Sequence, residues 1–179
     1  MIHELETKRI KLRQWQEQDL PVFATLNADP QVMEYFPEPL SQEQSNKLAR
    51  RCESLITQNG WGFWAVELKQ SKEFIGFLGL HKPQSNLPFS PCVEIGWRLL
   101  KDHWGNGYAT EASGVALRFA FNELALDEVV SYTTVSNTRS RAVMERLGFY
   151  DTKQNFAHPD LPKEHHLAEH VLYKINHFQ

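Results

Sequence analysis

A short glycine-bearing turn between two regular segments is the part of this sequence best suited to chemistry. It reads W-G-N-G-Y-A, from Trp104 to Ala109, and it joins a strand-like segment, Val93 to Leu99, to a helix-like segment, Ala109 to Leu124. The first N–H groups of a helix have no intrahelical partner, and the helix dipole is positive at that end. Such a turn can bind an anion, above all a phosphate or a pyrophosphate.

Two glycines allow the backbone of this turn to approach a ligand closely, since Gly105 and Gly107 carry no Cβ. A glycine turn that only ends a strand and begins a helix is the alternative interpretation. The turn is not a P-loop, because no Gly-Lys-Ser/Thr follows, and it lacks the third glycine of a dinucleotide-binding fingerprint. The residues predicted to contact the anion are Trp104, Gly105, Asn106, Gly107, Tyr108, Ala109 and Thr110.

The same turn resembles the acetyl-CoA-binding motif of the GNAT acyltransferase superfamily, Gln/Arg-x-x-Gly-x-Gly/Ala. Gly107 and Ala109 occupy the last two named positions, and Trp104 stands where the superfamily has Gln or Arg. A second block, N-T-R-S-R-A-V-M-E-R-L-G-F from Asn137 to Phe149, is similar to the following helix of the same superfamily. Together with Y-A-T-E-A at 108–112, the two blocks are most similar to the branch that includes the RimJ- and RimL-type acetyltransferases of ribosomal-protein N-termini.

The resemblance implies a GNAT fold over residues 1–179. This is a single α/β domain, with a mixed twisted sheet, helices on both faces and a splayed pair of central strands. The splayed pair would be Val93–Leu99 and Val129–Val135, and the acyl arm of the co-substrate acetyl-CoA would enter the gap between them. Backbone groups of Trp97, Arg98 and Leu99 would then bind the pantetheine amides and polarise the thioester.

The resemblance also implies direct transfer of an acetyl group to a primary amine in a ternary complex. The amine must lose a proton, and Glu94, the only carboxylate in its strand, is predicted to act as a base through water; a polar residue on a wet face is the alternative. Asn137 would bind the pantetheine arm, although it is equally suited to cap the helix. Ser140, one turn on, would donate a proton to the departing sulfur, and Arg146 would help to hold the phosphates of CoA.

Large aromatic side chains offer a candidate acceptor pocket, predicted to include Tyr35, Phe36 and Trp64, with a core position as the alternative for each. The loop around Tyr35 is rich in aromatic residues and proline, and Glu34 and Glu38 are its only acids. A polyamine needs several carboxylates around it, so the acceptor is predicted to be the N-terminal amine of an extended peptide. A small-molecule amine remains open, as does a non-catalytic module that only binds CoA.

Composition restricts the remaining classes of function. A chain of 179 residues, 41% of them hydrophobic, fits one domain with one core. The formal net charge of −3 without a long basic run argues against nucleic acid as a partner. No long apolar span or signal peptide is recognisable, so a cytoplasmic protein without membrane contact is expected, as a monomer or homodimer. Five of the eight histidines lie between His158 and His177, but without the spacing of a zinc site, so no metal is expected.

The predicted order of elements along the chain is βααββ[β]αβαββ. One strand is expected over Glu6–Arg13 and another over Phe149–Phe156. Ser41 followed by Gln44 predicts a capping box at the start of the second helix. The helix that contains the second motif is expected to end at Gly148.

Overall fold

The computed structural model describes residues 1–177, and this part of the chain forms a single mixed sheet with helices packed against it. The strands are β1 (Leu5–Glu6), β2 (Ile10–Arg13), β3 (Phe63–Leu68), β4 (Phe74–His81), β5 (Glu94–Leu99), β6 (Glu128–Thr134), β7 (Tyr150–Asp151), β8 (Phe156–Ala157) and β9 (Glu169–Asn176). The helices are α1 (Asp19–Ala28), α2 (Gln42–Asn59), α3 (Tyr108–Asn122) and α4 (Thr138–Arg146), with a short 3₁₀ helix at Lys101–His103. The strand order is β1-β2-β3-β4-β5-β6-β9-β7, with β8 beside β9, and only β5 and β6 run parallel.

Helices cover both faces of the sheet, as predicted. Successive side chains of a strand point to opposite faces, and β3 shows this with two neighbouring aromatic residues. The ring of Phe63 lies 5.0 Å from that of Phe77, which in turn packs on Phe23 of α1. The ring of Trp64 instead contacts Phe119 of α3, at 5.8 Å between centroids. Hydrophobic burial on the two faces therefore fixes α1 and α3 on opposite sides of the sheet.

Local sequence signals place the helix ends correctly. The Ser41 hydroxyl accepts a hydrogen bond from the Gln44 N–H, and the Gln44 side chain accepts one from the Ser41 N–H, which completes the predicted capping box. After α4 the chain passes through Gly148 with a φ of +89°, a left-handed conformation that glycine adopts without strain. Both predictions are confirmed.

Two predicted strands are broken in the structure. The strand expected over Glu6–Arg13 is a tight hairpin of β1 and β2, because the Thr7 side chain accepts hydrogen bonds from the N–H groups of Arg9 and Ile10 and turns the chain. The strand expected over Phe149–Phe156 is split into β7 and β8. No helix within residues 1–177 combines the length and the apolar character needed to cross a membrane.

The central strands β5 and β6 separate soon after they meet, which confirms the splayed pair. Their pairing is limited to Glu94 opposite Val130. The Val93 carbonyl accepts from the Val130 N–H at 3.0 Å, and the Ile95 carbonyl accepts from the Ser131 hydroxyl at 3.0 Å. Because backbone groups alternate sides along a strand, the N–H and C=O of Trp97 point into the gap that opens next.

Candidate active site

The gap between β5 and β6 opens into a cleft of about 1390 Å³. Its walls come from the two strands, the turn before α3, the first turn of α4, the loop that carries Tyr35 and Phe36, and the segment after β8. Most of the predicted site residues line it, and the structure therefore brings together parts of the chain that are far apart in sequence. The exceptions are Trp64 and Asn106.

The turn before α3 has the geometry of an anion site. Gly105 and Gly107 have φ values of +76° and +77°, which residues with a Cβ rarely adopt. A Cβ added at Gly105 would meet no atom within 4 Å, and one added at Gly107 would meet only Arg9 Nη2 at 3.7 Å. The space beside both glycines is thus open to a ligand, and α3 begins there with its free N–H groups. These features fit the pyrophosphate of CoA.

Two side chains of this turn stabilise it from within. The Asn106 amide donates to the carbonyls of His103 and Trp104, at 3.2 and 3.1 Å, so its side chain folds back onto the turn and not toward the cleft. Any contact of Asn106 with the ligand would therefore come from its backbone, as expected for a turn that binds through N–H groups, and it stays a prediction. The Trp104 indole N–H donates to the Leu99 carbonyl at 2.9 Å, and the Arg139 guanidinium stacks on its ring at 4.6 Å.

Arg9 was not singled out by the sequence, yet it lies against the same turn. Its Nε donates to a Glu111 carboxylate oxygen at 2.6 Å, and its guanidinium sits 4.6 Å from the centre of the Tyr108 ring. The two partners are 102 residues apart in the chain. No local pattern could therefore have indicated that a cation from the β1–β2 hairpin stands beside Gly107.

Asn137 and Ser140 form a hydrogen-bonded pair at the start of α4. The Asn137 amide donates to Thr133 Oγ1 at 2.9 Å and to Ser140 Oγ at 3.1 Å, while its Oδ1 accepts from the Ser140 N–H at 3.2 Å. Asn137 is the helix cap, and its oxygen keeps one free lone pair. Because the Ser140 hydroxyl accepts from Asn137, its own proton remains free to be donated into the cleft.

Glu94 lies at the point where β5 and β6 separate, half-buried in the wall of the cleft. Burial raises the pKa of Glu94 to about 7, and a hydrogen bond with the Tyr132 side chain partly opposes that shift. Burial and the nearby Glu94 charge raise the pKa of Tyr132, so its hydroxyl stays protonated and serves as a donor. A carboxyl group that titrates near neutral pH has the basicity that a general base needs.

His158 and His170 border the cleft beside Tyr132, with their ring centroids 5.0 Å apart. Burial lowers the pKa of both imidazoles, so they are neutral at pH 7. The antiparallel pairing of β8 with β9 brings them together, a proximity that the spacing of the histidines along the chain does not indicate. Among residues 1–177, no three His, Cys, Asp or Glu side chains come together in a way that could hold a metal ion.

The aromatic residues predicted for an acceptor pocket divide into two groups. Tyr35 and Phe36 line the cleft. Trp64 is fully buried, and its indole N–H donates to the His3 carbonyl at 2.8 Å. The prediction that Trp64 belongs to an acceptor pocket is wrong, because its position in β3 points it toward α3 on the other face of the sheet.

The predicted backbone contacts of β5 with pantetheine depend on which neighbouring strand each residue's backbone groups face, and this alternates along β5. The backbone groups of Trp97 and Leu99 face β6, and the Leu99 carbonyl is already bound by Trp104. The backbone of Arg98 faces β4, where the residue lies opposite Phe77, so the predicted backbone contact from Arg98 to pantetheine does not fit the structure. Arg146, in the last turn of α4, lines the cleft.

Comparison with known proteins identifies the family. The family described as "Acetyltransferase (GNAT) domain" matches residues 9–150. The chain belongs to the GNAT acetyltransferase family. It is similar to FsC-acetyl coenzyme A-N(2)-transacetylase of Aspergillus fumigatus, with 31% identity over 178 residues, 96% of this chain and 75% of that protein. It is also similar to the uncharacterized protein YkkB of Bacillus subtilis, with 30% identity over 151 residues, 84% of this chain and 87% of that protein.

A solved acetyltransferase from Agrobacterium tumefaciens has the same GNAT fold, with a TM-score of 0.79, 28% identity and coverage of 99% of this chain and 96% of that one. The predicted GNAT resemblance and fold are thus confirmed. As a GNAT family member, the chain is an acetyl-CoA-dependent acetyltransferase. The glycine turn, the splayed strands and the pair of Asn137 and Ser140 are the parts of this GNAT enzyme that meet in its cleft.

Proposed function

We propose that this GNAT enzyme transfers the acetyl group of acetyl-CoA directly to a primary amine, which enters the cleft from the face that carries α1 and α2. The observation that carries the proposal is the position of Glu94. Its carboxyl group, with a pKa raised to about 7 by burial, lies where the two strands separate and where a thioester in the gap would end. A deprotonated Glu94 accepts the amine proton through a water molecule, which leaves a neutral nitrogen able to attack.

The other groups of the cleft have complementary roles. The turn at Gly107 binds the pyrophosphate of CoA with backbone N–H groups. The N–H and C=O of Trp97 bind the pantetheine arm, and a backbone donor at this edge polarises the thioester carbonyl. As the new C–N bond forms and the C–S bond breaks, Ser140 donates its free hydroxyl proton to the departing sulfur, so that CoA leaves as the thiol. The proton that the new amide nitrogen loses restores the Ser140 hydroxyl through water.

The charges that line the cleft favour an acceptor with a single amine. Three carboxylates are present, and Glu111 is already paired with Arg9, which leaves Glu94 and Asp160. In the loop that carries Tyr35, Glu34 is paired with Arg139 at 2.8 Å. A polyamine would find too few free carboxylates for its several positive charges. We therefore propose the N-terminal amine of an extended peptide as the acceptor, with a small molecule that has one amine as the second candidate.

The test is an acceptor screen scored by the release of free CoA. Short peptides with free and with acetylated N-termini are compared with spermidine and with small monoamines, and Glu94→Gln serves as the inactive control. We expect free peptide N-termini to be acetylated with the highest kcat/KM. A polyamine that exceeds every peptide by orders of magnitude would exclude the peptide proposal, and CoA binding without transfer to any amine would indicate a non-catalytic module.

A further inference from the structure

Arg98 carries a positive charge that no residue of the described chain neutralises. Its Nη1 donates to the neutral Asn27 Oδ1 at 2.6 Å, and its Nε is buried without a hydrogen-bond partner. Burial lowers the pKa of Arg98 to about 10, so the guanidinium is still charged at neutral pH. The one ionisable group that interacts with it is the Cys52 thiol, which stays protonated because burial raises its pKa to about 12.

A second arginine shows how the same fold treats a buried guanidinium that has only a structural role. Arg13 is 3% exposed, and it is held by Asp19 at 2.8 Å and by Glu67 at 2.6 Å. Its charge is fully compensated within the protein. An uncompensated charge in a low-dielectric site is costly, so a buried arginine without an acid is unusual unless a ligand supplies the anion.

Arg98 also lies in the right place to meet the acceptor. The Arg98 side chain lines the cleft, with its guanidinium 4.0 Å from the centre of the Phe36 ring. Arg98 and Glu94 project from the same face of β5, since they are an even number of residues apart. Four residues along a strand correspond to about 13 Å between Cα atoms. The floor of the cleft thus has a base near one end and a free cation near the other.

We propose that Arg98 binds a carboxylate of the acceptor, so that the substrate is an amine that also carries a carboxylate group. The guanidinium offers its unused N–H groups to the two carboxylate oxygens, a geometry that Arg matches better than Lys. The aromatic rings of Phe36 and Phe77, 4.0 and 5.3 Å from the guanidinium carbon, restrict the positions that the guanidinium can take. This inference rests on the proposed function, because it presumes that an amine acceptor occupies the cleft.

The carboxylate could belong to a free amino acid or to an acidic side chain of a peptide, and two sets of matched acceptors distinguish these sources. Phenylalanine, phenylalaninamide and phenethylamine share an amine and a ring but differ in the carboxylate. The peptides Asp-Ala-Ala-amide and Asn-Ala-Ala-amide differ only in a side-chain carboxylate. The rate of acetyl-CoA-dependent CoA release is measured for each acceptor with the wild type, Arg98→Met and Arg98→Lys. Arg118→Met, which removes an exposed arginine of α3 that does not line the cleft, is the matched control.

We expect the wild type to prefer the carboxylate member of at least one set by about 10²-fold in kcat/KM, chiefly through KM. Arg98→Met should abolish that preference, because kcat/KM falls far more for the carboxylate acceptors than for the neutral ones, and Arg98→Lys should restore the preference in part. A preference within the phenylalanine set would indicate a free amino acid as the acceptor, and a preference within the peptide set would indicate an acidic peptide. Calorimetric CoA affinity close to the wild-type value shows that each variant is folded.

Three results would overturn the inference. Equal kcat/KM for acceptors with and without a carboxylate would reject the role of Arg98 and leave the proposed function standing. An equal loss for all acceptors in Arg98→Met would assign Arg98 to structure alone. Failure of the wild type to acetylate any amine would reject the proposed function itself, and the carboxylate proposal with it.

Discussion

At Glu94, the burial that produces a base near neutral pH also lowers the stability of the folded protein at alkaline pH. The unfolded chain ionises this group near 4.5 and the folded chain near 7. Because the pKa of this acid is raised on folding, the folded state keeps the proton up to a higher pH than the unfolded state does. The contribution of Glu94 to the free energy of unfolding therefore falls as the pH rises from about 4.5 to about 7, and the penalty persists above that range.

Glu94→Gln should therefore lose activity and gain stability. We expect kcat to fall about 10²- to 10⁴-fold, and the rise of kcat/KM with pH near 7 to disappear, because the base is missing. We expect the free energy of unfolding at pH 8 to increase by roughly 1–3 kcal/mol, with little change at pH 4. Kinetics across the pH range and urea denaturation at both pH values measure the two effects.

Glu123→Gln, an exposed substitution after α3, is the control and should change neither quantity. If Glu94→Gln keeps full activity, Glu94 is not the base. If the variant is inactive but has the wild-type free energy of unfolding at both pH values, burial of the ionised Glu94 carboxylate does not destabilise the fold.

The proton of the Ser140 hydroxyl is free to be donated. Removal of the hydroxyl should therefore affect the chemical step more than the binding of CoA. Ser140→Ala should lower kcat by about 10²-fold and leave the affinity for CoA close to the wild-type value. Ser136→Ala, which changes an exposed serine outside the cleft, is the control. Unchanged single-turnover rates in Ser140→Ala would remove Ser140 from the mechanism.

How far the sequence could predict these residues depends on how local their surroundings are. The turn at Gly107 and the pair of Asn137 and Ser140 belong to contiguous motifs, so the resemblance of those motifs to the family was sufficient to predict that they line one cleft. Phe63 and Trp64 are neighbours in a strand buried on both faces, and alternation does not tell which of the two faces the cleft. The neighbours of Arg98 and the pairing of His158 with His170 depend on strand register, which no short pattern encodes.

At the scale of elements, the proposed role of the turn before α3 is to bind the pyrophosphate with backbone groups, and this role depends on the absence of a side chain at Gly107. Gly107→Val should abolish CoA binding, because a Cβ would occupy the open space and a β-branched residue resists a φ of +77°. A Cβ there would clash with no protein atom, so the fold should lose only about 1–2 kcal/mol from backbone strain. Calorimetry measures the affinity, and thermal unfolding measures the cost.

Gly114→Ala provides the matched control for Gly107→Val, since Gly114 lies inside α3 with ordinary backbone angles and its added Cβ would approach only Arg118, at 3.8 Å. This control should bind CoA normally and be slightly more stable, as alanine favours a helix over glycine. Wild-type affinity in a folded Gly107→Val variant would contradict the assignment of the turn. Gly107→Ala is the milder substitution if valine prevents folding.

For the whole molecule, the separation of β5 from β6 divides the sheet into two parts. Strands β1 to β5 form one part, and β6, β7, β8 and β9 form the other. The contacts that join them include one register pair, the Ser131 to Ile95 hydrogen bond and α3, which contacts strands of both parts. A ligand that binds groups on both sides of the gap must therefore stabilise the junction more than either part.

Saturating CoA should stabilise the fold by about 2.7 kcal/mol at a concentration 100 times its dissociation constant. We expect the slowing of amide hydrogen exchange to be largest at Trp97 and Tyr132, whose backbone groups face the gap from its two sides, and smaller in β2 and β3. Exchange measured by mass spectrometry with and without CoA tests this, with Gly107→Val as the variant that should show no change. Uniform slowing throughout the sheet would mean that the junction is not a separate weak point.

The indole of Trp104, bonded to Leu99 and stacked under Arg139, gives the enzyme an intrinsic optical probe. Of the five tryptophans, Trp97 and Trp104 line the cleft, Trp15 and Trp64 are buried in the core, and Trp61 is partly exposed outside the cleft. A ligand that fills the cleft changes the polarity around the first two rings and leaves the buried pair untouched. Tryptophan emission can therefore follow occupancy of the cleft in real time without any attached dye, and Trp104→Phe separates the signal of the glycine turn from that of the strand.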